Sequence, residues 1–276
     1  MPTIHPSAIV DPRAELADDV EIGAFTTIGA GVTIGPGTAI FSHNVIQGPT
    51  VIGAGCKIGP AAYIGLDPQH LEFLTRPDPP KTWLQIGDRT IIREGVTIHR
   101  SIKPGRENAT QVGNDCLLMG AAHIAHDCRL GDRVIMANGV LLGGHCQIAD
   151  RAFMGGGCTM HQFVRIGRLA IVSGNEACSR DIPPFAAARY GGLKGYNAIG
   201  CRRAGLTREA VHALRSAYYC IHSNRTTSGI AAAIKATCPQ TPEVIELLDF
   251  IAASKRGIHP SIKYANYLHT LVDEGE

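Results

Sequence analysis

Five histidines, His99, His123, His126, His145 and His161, fall in the central third of the 276-residue chain, and their setting suits proton transfer. Imidazole titrates near ~6.5, so it can take a hydroxyl proton at neutral pH. Asp127 directly follows His126, and a carboxylate beside a histidine fixes its tautomer and steadies the imidazolium. Gly144 and Gln162 lie 18 and 36 residues beyond His126, and His145 and Phe163 lie the same steps beyond Asp127. In a solenoid with 18 residues per coil, such positions stack at the ~4.8 Å inter-strand spacing. One exposed face would then hold a base, its carboxylate, a second histidine and a bare glycine N–H able to approach an oxyanion. No Ser or Cys stands in this column, which favours direct attack of a substrate hydroxyl over a covalent enzyme intermediate. A zinc centre built from three histidines is the sharpest competitor, but His123 and His126 occupy different parts of the local repeat. His5, His43, His212 and His259 lack such neighbours and read as solvated surface residues.

A repeat must position these groups, and it is visible. Aliphatic residues recur at every sixth position from Ile4 to Ile64, again at Ile86, Ile92 and Ile98, and from Val112 through Ile124, Leu130 and Leu142 to Cys178. Four positions after the aliphatic stands a small or β-branched residue, as in Thr26, Val32, Ala122 and Val134. The residue directly after the aliphatic is often Gly (Gly23, Gly35, Gly113), which predicts a sharp corner of positive φ there. Each hexad reads as a short strand plus a corner, with one large and one small side chain pointing inward. Stacked, these make a parallel β-helix whose narrow interior explains 32 Gly against one Trp, seven Phe and seven Tyr. Cys56, Cys116, Cys128, Cys146 and Cys158 take the small inward position, so packing accounts for them. Nine Cys without C-x-x-C spacing argue against a disulfide framework or a zinc ribbon.

The repeat breaks near 66–85 and 100–110. The first break carries Asp67-Pro68-Gln69-His70 and Pro77-Asp78-Pro79-Pro80, and proline cannot donate to a ladder, so this segment must leave the helix as a loop. The expected organisation is a β-helix over 1–182 and a helical domain over 183–276. Thr207 is a candidate N-cap, and Thr241-Pro242-Glu243 a second start signal. The formal charge of +2 makes nucleic acid an unsuitable partner, no apolar run approaches the ~20 residues of a membrane helix, and the N-terminus lacks signal-peptide features. A cytoplasmic protein is expected.

The strings Ile98-His99-Arg100, Ala122-His123-Ile124-Ala125-His126-Asp127-Cys128, Gly143-Gly144-His145, His161-Gln162-Phe163 and Asp181-Ile182-Pro183-Pro184 resemble, in order and spacing, the UDP-N-acetylglucosamine O-acyltransferases among the hexapeptide-repeat acyltransferases. The resemblance spans about residues 1–257. It implies a left-handed parallel β-helix of triangular section, 18 residues per coil, followed by C-terminal helices. It also implies transfer of a 3-hydroxyacyl chain from acyl-carrier protein to the sugar 3-hydroxyl, the first step of lipid A synthesis, with no cofactor. Carried over, His126 is the general base, Asp127 orients it and Gly144 supplies the oxyanion N–H. His99, His123, His145, His161, Gln162 and Arg203 would line the sugar-nucleotide and acyl-carrier cleft, between subunits of a homotrimer, and Gly174 would set acyl length. Where the family's loop reads Gln-Asp-Leu-Lys, this chain has Gln69-His70-Leu71-Glu72, which alters the charge at two sugar-contacting positions. A 3-amino sugar analogue, a non-catalytic sugar-nucleotide-binding β-helix and a zinc β-helix hydratase stand as alternatives. Arg202, Arg203, Arg208 and Arg215 are candidates for docking the acidic acyl-carrier protein. Residues 258–276 extend past the family's usual end.

Overall fold

The computed structural model describes residues 1–224 and 226–261. Two- to four-residue strands, joined by tight turns, stack into three parallel sheets, here A, B and C, that form the faces of a β-helix of about ten coils. Register follows the hexads. Ile22, Ile40, Ile58, Ile92, Leu118, Met136, Met154 and Val172 pair in succession up sheet A, and Ile28, Ile46, Ile64, Ile98, Ile124, Leu142 and Met160 do so up sheet B. These side chains are almost wholly buried, whereas Ile4 and Ile9, in the first coil, remain exposed.

The corners are built differently from the sequence expectation. Positive φ falls on the third residue after the inward aliphatic, at Phe25, Ala61, Asp115, Asp127, Arg133 and His145. Gly113, one residue after its aliphatic, does not have it. There the demand is steric: a Cβ on Gly113 would lie 2.3 Å from the Gly131 carbonyl oxygen of the next coil, so glycine is needed for close approach rather than for a left-handed backbone. The small inward position also has a polar task. Thr38 Oγ1 donates to Gly53 O at 2.9 Å, and Cys128 Sγ reaches Gly143 O at 3.2 Å. All nine cysteines are free and buried, and burial pushes the Cys178 thiol up to about 12.

Both breaks in the repeat leave from the corner between sheets B and C. The first runs from the strand Tyr63–Leu66 through the short helix α1 (Leu71–Leu74) to Leu84–Ile86, and the second from Thr97–His99 to Thr110–Val112. The sheet does not stop at Cys178. Ala186–Arg189 adds a parallel strand to sheet A, and Gly192–Tyr196 returns antiparallel against it, so the segment from 183 to 196 is a strand pair rather than the start of the helices. That hairpin covers the end of the coil stack, as a solenoid end requires. Helices α2 (Ala198–Arg203), α3 (Arg208–Ser223), α4 (Thr227–Thr237) and α5 (Pro242–Ala252) follow. Thr207 and Thr241 cap α3 and α5, each accepting from the backbone N–H three residues on. The Tyr218 hydroxyl donates to Pro184 O at 2.6 Å, and Arg168 pairs with Glu246 at 2.7 Å, tying α3 and α5 to the last coils. His259 is buried, not solvated, because the chain around it pairs with the coil end at Asp181 and Leu193. Of the extension beyond 258, residues 262–276 lie outside the described residues.

Candidate active site at the corner of sheets B and C

His126 and Asp127 form the two-residue turn between the strands His123–Ile124 and Arg129–Leu130. His126 Nδ1 lies 2.7 Å from Asp127 Oδ2. A carboxylate can only accept, so Nδ1 carries the proton and Nε2 keeps its lone pair. Asp127 is held from three directions. Its N–H donates to Thr110 Oγ1 at 2.8 Å, the Ile102 N–H donates to its Oδ2 at 3.3 Å, and His145 Nε2 approaches to 3.9 Å. The second excursion, 100–110, thus holds Asp127 from both its ends, the carboxylate through Ile102 and the backbone through Thr110.

One coil on, Gly144 leaves room for the imidazole. A Cβ there would sit 2.6 Å from His126 Cε1 and 2.8 Å from Nε2. Among the described residues, the Gly144 N–H donates to no protein acceptor. The rings of His145 and His70 meet His126 edge-on, with centroids 5.1 and 5.7 Å away. They explain a departure from the sequence expectation: His126 is only 6 % exposed, although it sits at a corner, because the first excursion folds His70 over it. His145 also stacks flat on Phe163, centroids 4.5 Å apart.

A second histidine pair lies on the same side. His99 Nδ1 donates to Asp67 O at 2.5 Å, His123 Nδ1 meets Thr97 Oγ1 at 2.7 Å, and the two rings meet edge-on at 5.3 Å. Burial, reinforced by the neighbouring His99 and His126, lowers the His123 pKa to about 4. Burial also lowers those of His99 and His145, with Asp127 opposing the shift at His145. All three shifts favour the neutral imidazole.

Within one chain, the other sequence candidates do not join this group. Gln69 and Glu72 are exposed on the first excursion. His161 is exposed, with Nδ1 turned to Gln162 O at 3.1 Å, and Gln162 follows it at the same corner two coils beyond His126. Gly174 follows a sheet A strand, at the corner between sheets A and B. Arg203 ends α2, exposed. Sequence reasoning missed Lys103, Arg129 and Arg165. With Asp127, His145 and Phe163 they line a cleft of about 630 Å³ that runs from the turn to Lys255 and Arg256. Arg129 and Arg165 are outward positions two 18-residue coils apart, joined in register through Gln147, a signal the sequence does carry. His126, Asp127 and His145 also bring ligand-type atoms within 4.8 Å of one another, but His126 Nδ1 is already committed to Asp127.

The family model described as "Udp N-acetylglucosamine O-acyltransferase; Domain 2" matches residues 181–259, and the bacterial transferase hexapeptide model matches residues 1–36 and 109–144. An acyl-[acyl-carrier-protein]–UDP-N-acetylglucosamine O-acyltransferase of Halorhodospira halophila is 41% identical over 263 residues, 94% of this chain and 99% of that protein. One from Agrobacterium fabrum is 41% identical, over 91% of this chain and 92% of its own. Among solved structures, a UDP-N-acetylglucosamine acyltransferase from Bacteroides fragilis superposes with a TM-score of 0.87 at 36% identity, covering 94% of this chain and 100% of that one.

Proposed function

The chain belongs to the acyl-carrier-protein–UDP-N-acetylglucosamine O-acyltransferases, and from that premise we propose that it moves a 3-hydroxyacyl chain from acyl-carrier protein to the 3-hydroxyl of UDP-N-acetylglucosamine, opening lipid A synthesis. The observation that carries the mechanism is the His126–Asp127 hydrogen bond with Nε2 left free beside Gly144. His126 Nε2 takes the proton of the sugar hydroxyl as its oxygen attacks the thioester carbonyl. Asp127 stabilises the imidazolium that results. The negative charge on the carbonyl oxygen is met by the Gly144 N–H. As the tetrahedral intermediate collapses, the C–S bond breaks and the imidazolium returns its proton to the leaving thiolate.

The neutral His99 and His123 and the flanking His145, His161 and Gln162 contact sugar and donor. Lys103 and Arg129 on the cleft wall suit phosphate-bearing substrates, whereas Arg165 is held by the Phe250 and Ala253 carbonyls and Asp181. Gly174 and Arg203 lie at other corners and helices of the same chain. The resemblance puts these two residues against the acyl chain and the nucleotide, which fits a homotrimer with sites between subunits as the working form, set in the cytoplasm. The protein's own residues supply all the proton transfers of this scheme, so no cofactor is invoked.

Acceptor identity is decided by parallel assays with UDP-N-acetylglucosamine and its 3-amino analogue. Gln69 and Glu72 are exposed and His70 is turned onto His126, and the relatives named for UDP-N-acetylglucosamine favour the ordinary sugar. A large preference for the amino sugar would overturn that choice. Activity with neither would overturn the enzymatic reading.

A further inference from the structure

Arg100 is a buried cation outside the His126–Asp127 dyad, its side chain only 10% exposed. A buried charge persists only where its donors are used, and all three guanidinium nitrogens are. Nη1 donates to Gly48 O at 3.2 Å and also to Gly65 O. Nη2 pairs with Asp67 Oδ1. Nε points at Thr82 Oγ1, 3.4 Å away. The backbone N–H of Arg100 adds a bond to Leu66 O at 3.0 Å. Gly65 and Asp67 begin the first excursion from the β-helix, and Thr82 ends it. One planar guanidinium therefore closes both ends of a segment that carries α1 and His70.

What hangs from this clamp is chemical. Asp67, paired to Arg100 by its side chain, uses its carbonyl to accept from His99 Nδ1. A carbonyl only accepts, so this contact places the His99 proton on Nδ1 and leaves Nε2 as an acceptor. His70, three residues further along, lies against the edge of His126. We propose that Arg100 is a positioning residue for the sugar-nucleotide half of the site, holding the first excursion so that His99 presents one fixed tautomer and His70 closes over His126. The proposal rests on the acyltransferase reading for its kinetic consequence and on the Asp67–His99 contact alone for its structural one.

Arg100→Lys keeps the charge but cannot span Gly48, Gly65, Asp67 and Thr82 at once. The expected result is a KM for UDP-N-acetylglucosamine raised about tenfold or more, the worth of a charge-assisted hydrogen bond. The KM for acyl-carrier-protein substrate should stay within about threefold, and kcat should fall by less than the sugar KM rises, because His70 loosens while the His126–Asp127 bond remains. Asp67→Ala should give the same split, and the double variant should fall short of the product of the singles. A parallel loss in kcat and both KM values, tracking a fallen thermal midpoint, would reduce Arg100 to a brace of the fold and overturn the proposal, as would unchanged kinetics. If the wild-type chain acylates neither sugar, the function fails independently. Arg100 is then judged by 15N imidazole shifts: His99 should be an Nδ1–H tautomer in wild type and a tautomer mixture in Arg100→Lys, and an unchanged His99 signal would overturn the proposal.

Discussion

Gly144→Ala adds one methyl group at the point where the proposed base meets the neighbouring coil. The Cβ would lie 2.6 Å from His126 Cε1, 2.8 Å from Nε2 and 3.1 Å from Nδ1, whereas carbon atoms rest at about 3.5 Å or more. The ring must therefore retreat by close to 1 Å. It has little room to do so gently, since His70 and His145 meet it edge-on and its Nδ1 is bonded to Asp127 at 2.7 Å. A displacement of ~1 Å at a reacting group costs about 10²-fold in rate, so kcat should fall by about that factor. Gly144 does not have positive φ, so alanine suits the backbone and the cost is the steric one, about 1–3 kcal/mol for overpacking. The thermal midpoint should consequently fall by a few degrees. Mass-spectrometric measurement of acyl transfer on protein held below its thermal midpoint provides the test. A kcat within about threefold of wild type would refute the placement of His126 Nε2 at the reacting hydroxyl.

His126→Ala should lower turnover by ~10²–10⁴, and because the ring is buried it should also cost about 1–3 kcal/mol in urea unfolding; turnover above a tenth of wild type would remove His126 from the mechanism. Gly174→Met should shift donor preference to shorter acyl chains by roughly 10–200-fold in competition assays, and an unmoved product distribution would show that Gly174 is not the ruler. His123 has a folded pKa of about 4 against 6.5 unfolded, so the unfolded state binds the extra proton between those values. Its contribution is full above pH 6.5 and is lost on acidification toward pH 4. The thermal midpoint of His123→Gln should therefore fall less steeply over this window than that of wild type. Charge reversal of the exposed Arg208 and Arg215 should slow association with acyl-carrier protein and flatten its salt dependence; an unchanged salt dependence would leave them as a solvated helix face.

How much of this was legible depended on the register. A period of six with three sheets makes 18 the stacking step, so His123 pairs with Leu141 and Thr97 with His123 across the excursion, and the approach of Gly144 to His126 could be read by counting. The glycine after each aliphatic was visible too, yet its reason was misjudged, because hexad spacing does not distinguish a left-handed corner from a close contact between coils. The contacts of the first excursion were out of reach. Asp67 meets Arg100 at a separation of 33 residues and His70 meets His126 at 56, and neither distance is a multiple of the coil. Proline placed that segment outside the ladder but said nothing of where it returns, and so the burial of His126 was missed.

The corner between sheets B and C has a logic that joins these observations. A strand corner of a β-helix is ordinarily wet, and a histidine–carboxylate pair there would be screened by water. Both excursions leave from this corner, in the two coils that precede His126. One returns a histidine ring over the dyad, and the other returns a backbone N–H and the Thr110 hydroxyl to Asp127. The repeat supplies spacing to within one coil height, and the excursions supply what a repeat cannot, a dry and asymmetric surround for one pair of side chains. Shortening the second excursion to a standard two-residue corner should consequently impair activity even with every histidine in place, because Asp127 would lose the Ile102 N–H. The measurable result is a fall in kcat that a substitution of Asp127 no longer deepens; full activity of the shortened chain would show that the corner itself orients the dyad.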